Sequence, residues 1–130
     1  ADKTANEENN RSIVLCLTIA EKQILFTGDL EQSGEMKLLS QNPNISCDVL
    51  KLGHHGSNTS SHEAFLKAAA PSFAISSSGY DNQYGHPSDN VLARLESLKI
   101  PIYRTDLDKT IRLNFEKGKM VVQTEREGIE

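Results

Sequence analysis

The chain has 130 residues, enough for one domain, or part of one, with a real core. A formal charge of −4 and a pI near 5.6, with no Lys/Arg run, exclude strong nonspecific nucleic-acid binding through a basic face. They leave open a metal-assisted enzyme acting on phosphates, where the cation supplies the positive charge. No apolar stretch nears the roughly 20 residues of a membrane helix, and the polar start lacks the apolar core of a signal peptide, so the chain as it stands is expected to be soluble.

Ala1–Asn10, rich in Asn, Glu and Lys, predicts a disordered lead-in to a domain spanning 11–125, with 126–130 as a tail. The β-branched, apolar runs Ser12–Ile19 and Gln23–Thr27 flank the polar Ala20-Glu21-Lys22 and predict a β-hairpin. Met36 and Leu39 have helical spacing in the stretch that follows Gly28-Asp29, up to about Gln41, and Asn42-Pro43-Asn44 stops it. Cys47–Leu52 reads as a buried strand running into Gly53-His54-His55-Gly56-Ser57. A helix is expected over Ser61–Ala70, opened by a Ser60/Glu63 capping box and ended by Pro71. Phe73–Ser77 is another short strand, and Gly79–Pro87 is a loop. Val91, Leu92, Leu95 and Leu98 lie on one face of a third helix. Ile102–Arg104 is a brief strand, and Thr110–Phe115 with Lys119–Thr124 closes the chain as a hairpin around Glu116-Lys117-Gly118. Strands alternating with helices predict a layered α/β protein with helices on a sheet face.

Cys16 and Cys47 both sit in apolar, strand-like runs and are expected to be buried free thiols.

Three polar clusters each follow an apolar strand: Thr27-Gly28-Asp29, Gly53-His54-His55-Gly56-Ser57, and Tyr84-Gly85-His86-Pro87. Loops at strand ends are where catalytic groups collect, and neighbouring strands would bring all three to one edge. Singly each signal is weak. An Asp after a strand is most often a turn or helix cap, and a His-Pro pair in a loop is usually structural. Adjacent histidines between glycines say more, because they cost turn stability unless their side chains are used. Three of the four histidines lie in these loops, and the fourth, His62, is expected on the surface at a helix start. Clustered His with a carboxylate is the ligand chemistry of zinc or manganese. The wide gaps between them fit a catalytic site assembled from separate loops rather than a zinc finger.

The runs ILFTGDLE (24–31), DVLKLGHHGS (48–57) and YGHP (84–87), continuing to Ile102-Tyr103-Arg104-Thr105-Asp106, resemble the metallo-β-lactamase domain of ComEC-type DNA-internalisation competence proteins. The resemblance covers about 10–122. It implies half of an αββα sandwich, with a mixed sheet and helices packed on one face. It further implies Asp29 as the carboxylate bridging two divalent metals, zinc or manganese, and His86 as the late histidine completing one metal's shell. His54, His55 and Ser57 are implied to face a substrate phosphate; one of the two histidines could instead be a ligand. Asp106 is implied to support the site from behind.

The superfamily's main His-x-His-x-Asp-His signature does not occur in this sequence. The chain is therefore expected to be the C-terminal half of such a domain, or one half of a duplicated sandwich, and by itself inactive or nearly so, since three protein ligands are the usual minimum for a catalytic ion. For the intact parent the resemblance implies hydrolysis of a phosphodiester, with DNA as substrate, outside the cytoplasm and beside a membrane channel. The alternatives are a related hydrolase of another phosphodiester, a non-catalytic scaffold for DNA transport, and an α/β module holding an anion on backbone N–H groups. A half-sandwich would also expose one sheet face and invite dimerisation.

Overall fold

A computed structural model describes residues 11–80 and 82–127. Strands β1 (Leu15–Ile19) and β2 (Lys22–Phe26) form the expected antiparallel hairpin. Helix α1 (Gln32–Gln41) leads to β3 (Val49–Lys51), and a short 3-10 turn, Gly53–Gly56, follows. Next come α2 (Glu63–Ala69), β4 (Phe73–Ser76), α3 (Asp89–Ser97), β5 (Ile102–Arg104) and the single-turn α4 (Thr105–Asp108). The hairpin of β6 (Ile111–Glu116) and β7 (Lys119–Thr124) ends the fold, before a 3-10 turn at Glu125–Glu127. The expected lead-in over 1–10 and the end of the tail lie outside the described residues.

The first five strands make one sheet in the order β1-β2-β3-β4-β5, and β2 through β5 run parallel. Each parallel step is crossed by a helix, as the βαβ connection requires. Period-two alternation then sorts side chains to two faces. Leu25, Leu50, Ala74 and Ile102 occupy one row, facing α2 and α3 through Phe65, Leu66, Ala69, Val91 and Leu95. Ile24, Val49 and Phe73 occupy the row on the other face, where Leu113, Phe115, Met120 and Val122 of the final hairpin cover them. The result is a mixed sheet with helices on one face and a two-stranded layer on part of the other, as expected of a half-domain of the metallo-β-lactamase type.

Three local readings are corrected. Cys47 is buried, and burial pushes its thiol up to about 12, but Cys16 is exposed. The reason is topological: β1 is the sheet edge, and all five of its residues are exposed. The capping box does not form, because α2 begins at Glu63 with His62 at its N-cap and no side-chain cap, while the Ser60 hydroxyl donates to the carbonyl of Leu30 instead. His62 is not a free surface residue; its half-buried ring lies with Nδ1 3.2 Å from the Glu35 carboxylate. The expected third helix forms as α3, capped by Ser88, whose Oγ accepts the Val91 N–H.

On the face covered by the hairpin, Leu15, Leu17, Ile19 and Phe26 remain 36–54% exposed, so the apolar face continues past the hairpin's reach.

Phe65, 1% exposed, packs helix α2 into the larger core cluster. Phe65→Ala is expected to destabilise the fold by about 3–5 kcal/mol through lost burial and the cavity left behind, read as a lowered urea midpoint at unchanged slope.

Candidate functional site

Because β2 to β5 run parallel, their carboxyl ends point to one edge of the sheet. In open α/β sheets that edge is where ligands bind. It carries the loop after Phe26 with Asp29, the 3-10 turn after Lys51 with His54 and His55, and the long loop after Ser76 with His86.

Two glycines set how closely these loops approach. A Cβ on Gly53 would stand 3.0 Å from Thr27 Oγ1 and 3.2 Å from the Leu30 carbonyl, so a glycine there lets the first loop lie against the second. A Cβ on Gly56 would stand 2.7 Å from the Pro87 Cβ, and the Gly56 φ of 84° is in any case a left-handed conformation. Backbone hydrogen bonds fasten both contacts: His54 N–H donates to Gly28 O at 2.8 Å, and Ser88 N–H donates to Gly56 O at 2.9 Å. Between the glycines, His54 (φ 51°, ψ 42°) and His55 (φ 56°, ψ 22°) both adopt left-handed backbone. For non-glycine residues each costs roughly 1–2 kcal/mol, a strain that persists only where surrounding contacts impose it.

The imidazoles come together at this edge. The His54 and His86 rings meet edge-to-face with centroids 6.0 Å apart, and Tyr84 stacks on His86 at 5.7 Å. His55 and His86 line one open cavity of about 370 Å³ together with Ser77, Ser78, Asn82 and Tyr84. His55 Nδ1 lies 2.7 Å from the Ser77 carbonyl, which can only accept, so Nδ1 carries the proton and Nε2 is left as the ring's acceptor. His54 Nδ1 lies 3.4 Å from Thr59 Oγ1 and 3.9 Å from a Glu31 carboxylate oxygen. Partial burial lowers the His86 pKa below the ordinary imidazole value, and His54 and His55 lower it further because clustered positive charges repel.

The other expected residues sit at the same edge in bonds of their own. Asp29 is exposed; its N–H donates to Ser12 Oγ at 3.0 Å, and its carboxylate acts on Lys51, whose ammonium pKa is lowered by burial and partly restored by that charge. Ser57 is buried, and its Oγ accepts from Thr59 N–H at 3.3 Å and pairs with Thr59 Oγ1 at 3.0 Å. Asp106 makes a bidentate pair with Arg104, at 3.0 and 2.7 Å. Its neighbour Thr105 bonds both the N–H and the carbonyl of Ser78, and Ser78 in turn donates to the His86 carbonyl.

Several positioning residues carry no signal in the sequence. Asn82 accepts the His86 N–H at 2.9 Å and donates to the His86 carbonyl, bracing that residue on both sides. Glu35, 1% exposed on α1, accepts the backbone N–H groups of Ser61 (2.6 Å) and His62 (3.1 Å). From α3, Arg94 donates to the Ser60 and Ser61 carbonyls and to Asn58. Two helices thus grip the segment that follows the histidine turn. Desolvation raises the Glu35 pKa, opposed by those hydrogen bonds and by His62. A Glu three residues into a helix looks like any solvent-facing carboxylate until the partner loop is placed above it.

Residues 4–79, more than half of the chain, match the family model of the metallo-β-lactamase superfamily. The chain belongs to that superfamily. It is 42% identical over 108 residues to ComE operon protein 3 of Bacillus subtilis, covering 83% of this chain and 14% of that protein. It is 40% identical over 118 residues to Competence protein ComA of Neisseria gonorrhoeae, covering 90% of this chain and 17% of that protein. Recombination protein 2 of Haemophilus influenzae is 34% identical over 119 residues, 92% of this chain and 15% of that protein. The resemblance to ComEC-type competence proteins therefore extends over most of this chain, which spans only 14–17% of the length of these relatives.

Metallo-β-lactamase-fold proteins usually bind divalent metals. Among the described residues, no group of three or more His, Cys, Asp or Glu side chains is arranged to hold one. The donor set of this chain does not by itself fit a metal, since three protein ligands are the usual minimum for a catalytic ion. Among the described residues no helix is long and apolar enough to cross a membrane.

Two measurements follow from this geometry. In an NMR pH titration the His86 ring should protonate at lower pH than a free histidine, and His54→Ala or His55→Ala should move its midpoint upward. With its folded pKa depressed, His86 contributes stability above the ordinary imidazole value and loses it as pH falls below; a midpoint at the ordinary value would contradict the clustering. Gly56→Ala should cost about 1–3 kcal/mol in urea unfolding, since the new methyl must displace Pro87 from a left-handed position.

Proposed function

We propose that this chain is the C-terminal part of a metallo-β-lactamase-fold domain that hydrolyses phosphodiester bonds of DNA during uptake in natural competence, within a larger membrane-associated protein. The observation that supports this reading most directly is the gathering of His54, His55 and His86 at the carboxyl edge of a parallel sheet, with His55 and His86 lining one cavity there. The names of the relatives point to competence.

In this reading, His54, His55 and Ser57 face the phosphate, and His86 belongs to the metal site beside them. His55, with its Nδ1 proton committed to Ser77 O, keeps Nε2 as a proton acceptor, and once protonated can donate to a phosphoryl or leaving-group oxygen. His86, held neutral by burial and its neighbours, offers a lone pair near neutral pH. Asp29 and His86 remain the residues of this chain proposed to join the donors of a zinc or manganese site, and the missing donors come from the rest of the domain. The apolar stripe of Leu15, Leu17, Ile19 and Phe26 gives that remainder a surface to pack against. The intact domain would work on the extracytoplasmic side of a bacterial membrane, with DNA and the rest of its own protein as partners. Taken alone, this chain would not be active.

A non-catalytic scaffold for DNA transport is the second reading, favoured by the incomplete donor set. The test uses the full-length protein with Mn²⁺ or Zn²⁺, following release of nucleotides from labelled DNA. His55→Ala and His86→Ala should each lower the rate by about 10²–10⁴-fold, while this chain alone releases nothing. Variants that cleave as fast as the parent would sink the assigned roles. A full-length protein that neither binds metal by calorimetry nor cleaves DNA would select the scaffold.

A further inference from the structure

Tyr84 is 72% exposed, and the ring belongs to neither hydrophobic core cluster. It lines the same cavity as His55 and His86 and rests on the His86 ring at 5.7 Å with 27° between planes. A large aromatic side chain left in water at the rim of this cavity contributes nothing to the core. Its environment is that of a ring waiting for a planar partner.

We propose that Tyr84 is a stacking platform for a nucleobase, so that this site accepts single-stranded rather than duplex nucleic acid. The proposal rests on the reading of the site as one that handles nucleic-acid phosphodiesters, and it names the form of the strand. Inside a duplex each base face is covered by its neighbours, and reaching one requires unstacking. A single strand presents its base faces freely, and stacking on an aromatic ring is tolerant of sequence because every base has a π-face. One ring face of Tyr84 lies on His86, which leaves the other for the base. The imidazoles beside it then meet the phosphate, joined to that base through a single sugar.

The platform is braced before any strand arrives. Asn82 bonds the backbone of His86 on both its N–H and its carbonyl, and also donates to the Gly79 carbonyl at 2.9 Å, closing the base of the loop. Tyr80, 81% exposed beside Gly79 of the cavity lining, adds a second ring at the start of the same loop. The chain is acidic overall and has no run of Lys and Arg, so stacking supplies a contact that net charge does not.

The test measures fluorescence anisotropy of labelled oligothymidylate, the corresponding abasic strand and a blunt duplex of equal length, each titrated with this chain. Oligothymidylate should bind roughly ten-fold more tightly than the abasic strand or the duplex, Tyr84→Ala should remove that advantage, and Tyr84→Phe should retain it. Because the chain has three tyrosines and no tryptophan, quenching of intrinsic tyrosine emission on binding reports the stacking directly. Equal binding of thymidylate and abasic strands by the unaltered chain would overturn the platform without needing any variant to fold. If strands bind alike, lose affinity in His86→Ala and ignore Tyr84→Ala, the platform falls while the phosphodiester reading stands. If this chain binds no nucleic acid at all, the platform falls, and the phosphodiester reading is decided by cleavage with the full-length protein.

Discussion

Gly56 lies so close to Pro87 that no side chain fits between them, and this contact joins the two loops that carry the histidines. The proximity of His54 to His86, and the depression of the His86 pKa, require that approach. The approach is possible only because β3 and β4 are parallel neighbours in register, Val49 with Phe73 and Lys51 with Ile75, so that their loops leave the sheet at the same level. Gly53 does the same for the loop after β2. A shift of one residue in either strand would turn the core rows outward and separate the loops.

Rigidity at this edge comes from polar groups rather than from the core. The histidine turn holds two consecutive non-glycine residues in left-handed backbone, a conformation that its own residues do not favour. It is fastened by bonds on the turn itself, His54 N–H to Gly28 O, Ser76 Oγ to the His55 carbonyl and Ser88 N–H to Gly56 O, while Glu35 and Arg94 reach from two helices to the backbone of Ser60, Ser61 and His62 just beyond it. Glu35 is costly to bury, and it is retained with its carboxylate fully engaged by N–H donors; removing those partners would leave a buried charge uncompensated. On the far side Thr105, Ser78 and Asn82 form a chain of hydrogen bonds ending at the His86 backbone. The site is a set of imidazoles on braced loops, the arrangement a preorganised site needs.

The sheet is unequally covered. Its helical face is closed by a continuous core, whereas the hairpin of β6 and β7 covers the opposite face from β2 to β5, and β1 stands at the other edge with its apolar residues in water. Together with a donor set too small for a metal among the described residues and a span of 14–17% of the relatives, this gives the chain the character of one wall of a site.

Much of this was determined by the sequence itself. Apolar runs of three to six residues alternating with amphipathic stretches set the element order, because burial on a sheet imposes period two and burial of a helix face imposes period 3.6. The positions of Asp29, His54, His55 and His86 just after strands placed them at one edge, given only that neighbouring strands run parallel. What local pattern could not carry were the partners. The same LCLTI run could lie in a sheet centre or at its edge, so Cys16 looked as buried as Cys47. Ser60 has capping spacing, yet its hydroxyl is taken by Leu30, thirty residues away. Glu35, Asn82 and Arg94 read as ordinary polar residues until the folded chain decided what each one touches. Hydrogen bonds over such separations depend on how layers pack, and only the tertiary structure sets that.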